Sequence, residues 1–380
     1  MTVAEIEPRP LAELTTLRAG AVPERMIEAY SADELVAAMR ELWAVGEPWL
    51  VVGGGSNLLV GDEPFDGTVV AVRTSGIEEL ASPHPGHTRL KVQAGHSWDD
   101  LVEYAVAAGL GGIAAMSGIP GTAGAAPVQN IGAYGQEVVQ TLVEVELLDE
   151  STGDVSVVPA SDLGLGFRTS VLKHHHGSVA ARSAVILSIT LELAQVGQGE
   201  FVIQGPQLRG ALGLDPAAAV SLRWVRETVL AVRASKGMVL DDADPDTWSA
   251  GSFFQNAVVT AAFARTLPDA CPRWPVAPDP VADRVIPLSE YYGVSPTGEA
   301  AEPDVKVSAA WLIEHAGIGK GFALPGSRAG LSTKHALALT NRGGATADEL
   351  AALARFIQQR VQSEFGLILQ PEPVLVGVEL

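Results

Sequence analysis

The sequence predicts an α+β protein of more than one domain, and three observations carry that expectation. Helix signals alternate with short buried-strand signals through the first half of the chain. The texture changes near residue 195, where glycine and proline accumulate and periodicity fades. The 380 residues also exceed what one ordinary domain of roughly 150 residues needs.

The elements follow in order. Ser31-Ala-Asp-Glu34 is a capping box, and Leu35, Met39 and Leu42 continue it at helical spacing. Trp49 to Val52 reads as a short buried strand, ended by Gly53-Gly54-Gly55. Thr68 to Val72 and Arg89 to Ala94 read as further strands. Ser97 caps a second helix, whose face is Leu101, Ala105 and Ala108 and whose stop is Gly109. Leu142 to Leu148 and Val155 to Val158 flank Ser151-Thr152-Gly153 as a hairpin, and Ala184 to Leu193 is a long strand. Gln195 to Pro216 holds five glycines and two prolines, so a domain boundary is expected between 195 and 225. The stretch from Pro268 to Pro303 is irregular and suggests no function. The last helix starts at the box Thr346-Ala-Asp-Glu349, buries Leu350, Leu353, Ile357 and Val361, and stops at Gly366. Leu367 to Val378 closes as a strand interrupted by Pro371 and Pro373.

Composition narrows the function classes. With 47% hydrophobic residues, 18% charged residues, 40 glycines and 24 prolines, the chain is globular and rich in turns. A net charge of −20 repels phosphate backbones, so no nucleic-acid partner is expected, although a local basic pocket could still take a phosphorylated metabolite. The single cysteine, Cys271, can form neither an internal disulfide nor a cysteine-based metal site, which fits a reducing cytoplasm. The first residues lack the basic and apolar regions of a signal peptide, and no apolar run reaches the roughly 18 residues of a membrane helix. A cytoplasmic protein without membrane insertion is expected.

Val51-Val-Gly-Gly-Gly-Ser-Asn57 is the first motif with chemical content. Three glycines after a strand let the backbone approach a ligand and leave amides for phosphate oxygens. A Rossmann turn would need a helix next, whereas Asn57 to Pro64 reads as strand and turn. Taken alone, the run is equally well a tight turn. A second glycine-rich stretch, Gly118 to Gly124 and Gln129 to Gly135, could form a wall against a large flat ligand, or be a surface loop. His174, His175 and His176 diverge in helix or strand, so no metal site is expected there or elsewhere.

Seven segments, GGGSN, SGIPGTAGAAPVQNIGAYG, LGFRTSVLK, GSFFQN, AAWLIEHAGIGKG, LSTKHALALTN and LQPEPVLVG, occur in the order of one family's hallmarks. Through them the chain, from about Leu17 to Gly377, resembles the UDP-N-acetylenolpyruvoylglucosamine reductases, also called UDP-N-acetylmuramate dehydrogenases. The resemblance implies a two-subdomain FAD-binding fold of the vanillyl-alcohol oxidase and p-cresol methylhydroxylase type, followed by an α+β substrate-binding domain. The implied division is 17–197 for FAD, with subdomains at about 17–75 and 76–197, then 220–380 for substrate, with the C-terminal strand returning toward the flavin.

The resemblance also implies an activity of peptidoglycan precursor synthesis. NADPH reduces a non-covalent FAD, and hydride then passes to C3 of UDP-N-acetylglucosamine enolpyruvate, giving UDP-N-acetylmuramate. Charge building at C2 needs stabilisation, and C2 needs a proton. Arg168 and Glu372 match the family's charge-stabilising pair, and Ser252 matches its proton donor. An arginine can grip a carboxylate with two nitrogens, and a buried glutamate can hold its proton. The implied FAD contacts are Gly53, Gly54, Gly55, Ser56, Asn57, Ile119, Pro120, Gly121, Gly124 and Gly132. Tyr134, Lys236, Asn256 and His335 are the implied substrate contacts.

Two features depart from the family pattern. Gln255 and Ala257 stand where GSFFKNP is usual, and Gln204 falls where one branch carries a tyrosine that closes over the UDP. Two other readings remain open from sequence: a sugar or alcohol oxidase of the same flavin fold, and a non-catalytic nucleotide-binding regulator.

Overall fold

A computed structural model describes residues 5–173, 180–276 and 303–380. The histidine run 174–176 and most of the irregular 268–303 stretch lie outside the described residues.

The chain opens on a four-stranded sheet in the order Glu5–Ile6, Arg25–Ala29, Thr68–Val72, Trp49–Val52. Its last three strands are parallel. Thr68–Val72 is buried along its whole length, as its unbroken apolar run requires of a central parallel strand. The helix Ala32–Val45 covers this sheet. Both halves of its capping box form, Leu35, Ala38, Met39 and Leu42 face inward, and Gly46 ends it at φ 70°.

A larger antiparallel sheet follows, ordered Val155–Pro159, Leu142–Asp149, Ala184–Gln195, His87–Gln93, Ile77–Ala81. The helix Trp98–Ala107 starts at Ser97, as its sequence implied, and buries Leu101 and Ala105. The 195–216 stretch is largely irregular, with a short strand at Phe201–Val202 and a short helix at Pro206–Ala211.

Beyond it the helix Leu222–Ser235, which the sequence reading did not anticipate, packs Leu222, Val225 and Val229 into the same core as the N-terminal half. Leu17, Ala19 and Leu59 do the reverse and join the core built mainly from 253–369. The two cores therefore do not divide at one chain position. The C-terminal core rests on a three-stranded antiparallel sheet (Ala257–Val259, Val305–Val307, Arg273–Pro275), the helix Ala309–His315 and the long helix Ala347–Phe365.

The last strand shows why its sequence looked broken. Only Val374–Val376 forms a regular strand, and it pairs in parallel with Leu58–Val60, just past the first glycine loop. The preceding residues lie beside 253–255, with Gln255 N donating to Gln370 O and Glu372 N to Phe253 O. Pro371 and Pro373 alternate with the donors Glu372 and Val374, so neither proline interrupts these bonds. No described helix is long and apolar enough to cross a membrane.

One further tie joins the halves. Both carboxylate oxygens of Asp62 accept from the first turn of the helix Ala347–Phe365, from Ala347 N and Asp348 N at 2.9 Å each. A carboxylate there satisfies orphan donors and suits the helix dipole. Asp62→Ala should lower unfolding stability by about 1 kcal/mol, the worth of a lost cap. Denaturant midpoints at unchanged slope would check this, and an unmoved midpoint would mean that Thr346 alone holds the helix end.

Candidate active site

The two glycine loops meet. Ser56 Oγ donates to Pro120 O at 2.8 Å, and a Cβ on Gly54 would lie 2.7 Å from Gly121 Cα. A Cβ on Gly53 would strike Thr122 Oγ1, and one on Gly55, where φ is +59°, would strike Leu14 O. Close contact with other protein segments therefore requires each glycine of the run, beside the ligand approach and the tight turn that the sequence suggested. The same holds for Gly124, whose Cβ would lie 2.6 Å from Ala94 Cβ, and for Gly132, which closes on Gln136 O. Among the described residues the amides of Gly54, Gly55, Ser56 and Asn57 donate to no other group.

Between the loops runs a cleft of about 600 Å³, of the size of a cofactor site. Its walls are mostly small or apolar, including Val51, Ala94, Trp98, Ala126, Val128 and Val185. All ten expected cofactor residues line it: Gly53, Gly54, Gly55, Ser56, Asn57, Ile119, Pro120, Gly121, Gly124 and Gly132. Neither cysteine nor histidine lines it among the described residues. Arg168, Ser252 and Glu372 line the same cleft, although they come from chain positions far apart.

Arg168 sits at φ 56° in a tight turn closed by hydrogen bonds between Gly166 and Thr169. A left-handed arginine costs roughly 1–3 kcal/mol, so the surroundings must hold it. They do so through three bonds: Nη1 to Asn130 O at 3.2 Å, Nη2 to Gly132 O at 2.9 Å, and Nε to Glu372 Oε1 at 3.0 Å. Asn130 and Tyr134 are also left-handed non-glycine residues, at φ 46° and 52°. Three of the four such residues in the described chain therefore lie in the second glycine stretch or in the arginine turn facing it.

The Glu372 side chain is only 15% exposed. Burial raises its carboxyl above the ordinary glutamate value, against the opposing pull of Arg168 and Lys173. Ser252 follows Gly251, which is at φ 74°, and its hydroxyl has no hydrogen-bond partner among the described residues. Phe253 and Phe254 behind it are buried and meet edge to face.

The expected substrate residues divide. Lys236 Nζ lies 5.7 Å from the Tyr134 ring centre, and His335 is in the same positive field. Burial first, then Lys236, Lys320 and Arg233, push the His335 imidazole down to about 4, so it is neutral at pH 7. Asn256 Oδ1 accepts from Ala309 N at the start of the helix Ala309–His315. Gln204 Nε2 turns back to Val202 O, while the neighbouring Gln207 packs against Gly135 beside Tyr134.

Sequence reading did not single out several lining residues, Arg233, Gln129 and Lys173 among them. Arg233 continues the buried stripe of Leu222, Val225 and Val229, and an arginine in that register is the signal that could have found it. Its Nη2 donates to Gly118 O and Met238 O, and its Nε is buried with no partner among the described residues. Gln129 and Lys173 lay inside quoted motifs without being singled out. Among the described residues no cluster of three histidine, cysteine or acidic side chains has a metal-holding arrangement.

Residues 23–158 match the FAD-binding domain family, so the class of protein is an FAD-dependent flavoprotein. Residues 244–376 match the C-terminal domain of UDP-N-acetylenolpyruvoylglucosamine reductase. Proteins of that name from Leifsonia xyli subsp. xyli and Mycobacterium tuberculosis are 50% and 44% identical over 385 and 377 residues, each covering 98% of this chain and 100% and 95% of the relative. The chain belongs to the UDP-N-acetylenolpyruvoylglucosamine reductase family. The solved structure of such a reductase from Thermus caldophilus, 23% identical, has the same fold with a TM-score of 0.60 over 99% of both chains.

The loop contact gives a direct test of the cofactor cleft. Gly54→Ala forces Gly121 away, an overpacking that costs about 1–3 kcal/mol, or about 5- to 150-fold in FAD affinity. Titration of the apoprotein with FAD checks this, and wild-type affinity would mean that the loop spacing does not shape the cleft.

Proposed function

We propose that this chain is the NADPH- and FAD-dependent enzyme that reduces UDP-N-acetylglucosamine enolpyruvate to UDP-N-acetylmuramate, a cytoplasmic step in making peptidoglycan precursors. The observation that carries this reading is the Arg168–Glu372 pair sharing one cofactor-sized cleft with the Ser252 hydroxyl, which has no partner among the described residues. Small walls suit a flat ring, and unpaired loop amides suit a diphosphate, so the cleft's residues fit FAD. Held between residues 53–57 and 119–124, FAD would supply the redox chemistry that links NADPH oxidation to reduction of the enolpyruvyl ether at C3.

The chain's own residues handle charge and proton. Arg168 keeps a permanent positive charge where the substrate carboxylate gathers electron density. Glu372, its carboxyl raised by burial, can keep a proton and donate it as a hydrogen bond to that density. Ser252 Oγ–H gives its proton to C2, with Phe253 and Phe254 excluding water from behind. Arg233, Lys236 and neutral His335 near Tyr134 form the positive end suited to the UDP diphosphate. The segment holding Gln204 is next to that end and offers hydrogen bonds in place of an aromatic cover. In this reading 17–197 holds the flavin and 220–380 the sugar nucleotide, with the helix Leu222–Ser235 serving both. Among the described residues the cleft lining offers no cysteine or histidine for a covalent flavin bond.

The two half-reactions separate the roles. Ser252→Ala should leave anaerobic flavin reduction by NADPH at the wild-type rate and slow reoxidation by the enolpyruvyl substrate by about 10²–10⁴-fold. Arg168→Lys should slow the same second step, since one ammonium cannot reproduce the three bonds by which the guanidinium is held to Asn130 O, Gly132 O and Glu372. Rapid mixing with flavin absorbance reads both phases. Reoxidation of Ser252→Ala at the wild-type rate would remove the serine from its role.

A further inference from the structure

Three chain segments converge on the peptide groups of Glu372. Its N–H donates to Phe253 O at 2.8 Å, next to Ser252. Its carbonyl accepts from Lys173 Nζ at 2.9 Å and from Asn57 Nδ2 at 3.3 Å. The same two donors also share a second acceptor: Gln129 Oε1 receives Asn57 Nδ2 at 2.8 Å and Lys173 Nζ at 3.1 Å. Two donors and two acceptors thus close a four-membered ring of hydrogen bonds. One corner comes from each glycine loop, one from the segment five residues past Arg168, and one from the C-terminal strand.

We propose that Lys173 is a positioning residue for the reductase reaction, working with Asn57 and Gln129 as a cross-brace that sets where the Glu372 carboxyl stands relative to the flavin cleft. The inference rests on the proposed function. The brace grips the main chain of Glu372, whereas Arg168 grips its side chain, so the carboxyl is fixed at both ends. Lys173 is 6% exposed, and burial draws its ammonium down to about 8, with Arg168 adding to the fall and Glu372 opposing it. A lysine kept in so dry a place is held by what it bonds. Its length matters, because it carries the ammonium from the segment past Arg168 to the two acceptors that Asn57 Nδ2 also reaches. Asn57 was expected to serve the cofactor; its side-chain amide is committed to the brace, which leaves its backbone amide for that purpose.

The brace acts on the step that uses Glu372 and not on hydride entry. Lys173→Met keeps the length and removes the donors. It should retain FAD, reduce with NADPH within about twofold of wild type, and reoxidise with substrate about 10- to 100-fold more slowly, the scale of an ångström-level misplacement. The KM for the sugar nucleotide should stay put while kcat falls. Lys173→Arg, which restores donors to both acceptors, should recover most of the loss. Should Lys173→Met fail to fold, Gln129→Leu breaks the same ring from the opposite corner and should show the same selective slowing. Wild-type reoxidation in the folded variant, or an equal loss in both half-reactions together with lost FAD, would overturn the proposal. Failure of the wild-type protein itself to oxidise NADPH with the enolpyruvyl substrate would instead overturn the function on which it rests.

Discussion

Arg168 and Glu372 lie more than half the chain apart in sequence, yet their side chains meet at 3.0 Å inside the cleft. Removing one partner of such a buried pair generally costs about 3–5 kcal/mol, because the other is left unpaired away from water. The fold must therefore be finished before the pair can form. The arginine turn belongs to the N-terminal half, and the glutamate reaches it only because Val374–Val376 returns to pair with Leu58–Val60. Asp62 on the helix Ala347–Phe365 and Asn57 on the Glu372 carbonyl reinforce that return from the same stretch of chain. Docking of the halves and assembly of the charge-handling pair are one event.

The glycine loops obey a related constraint. Each glycine at 53, 54 and 55 has a protein atom where its Cβ would be: the Thr122 side chain, the Gly121 backbone and the Leu14 carbonyl. Close packing removes side chains from that wall and leaves amides and small apolar groups for the cofactor. Strain gathers beside it, at Asn130, Tyr134 and Arg168, each left-handed without being glycine. Asn130 shows how such strain is held: Oδ1 accepts from Val139 N, and Nδ2 donates to Glu137 and Gly166 O. A rigid, over-determined site suits chemistry in which charge must be met where it appears, without waiting for the protein to reorganise.

Much of this was legible in the sequence because it is local. The boxes at Ser31 and Thr346 cap helices as written, and the continuous run Thr68–Val72 is a central strand. The ordered motifs identified the family and pointed to the loops that form the cleft. What stayed hidden depends on tertiary contact. Nothing local marks Lys173 and Gln129 as neighbours of Glu372, since their meeting needs the C-terminal strand in place. The bond from Ala309 N to Asn256 Oδ1, which ties the serine motif to the start of the helix Ala309–His315, is likewise unmarked in the local sequence. The glycines marked the right region, but their close contacts with other segments stayed hidden, because a Cβ clash with another segment cannot be read from one loop. The helix Leu222–Ser235 escaped notice, and Arg233 with it, because its inward stripe ends on a charge.

If Arg168 and Glu372 work as one unit, their contributions cannot be independent. A double-mutant cycle on flavin reoxidation, comparing Arg168→Met, Glu372→Gln and the pair together, reads that coupling directly. The double variant should reoxidise about as slowly as the slower single variant, as residues that act as a unit do. Losses that multiply would mean that the two groups act separately, and would contradict the account of a coupled pair.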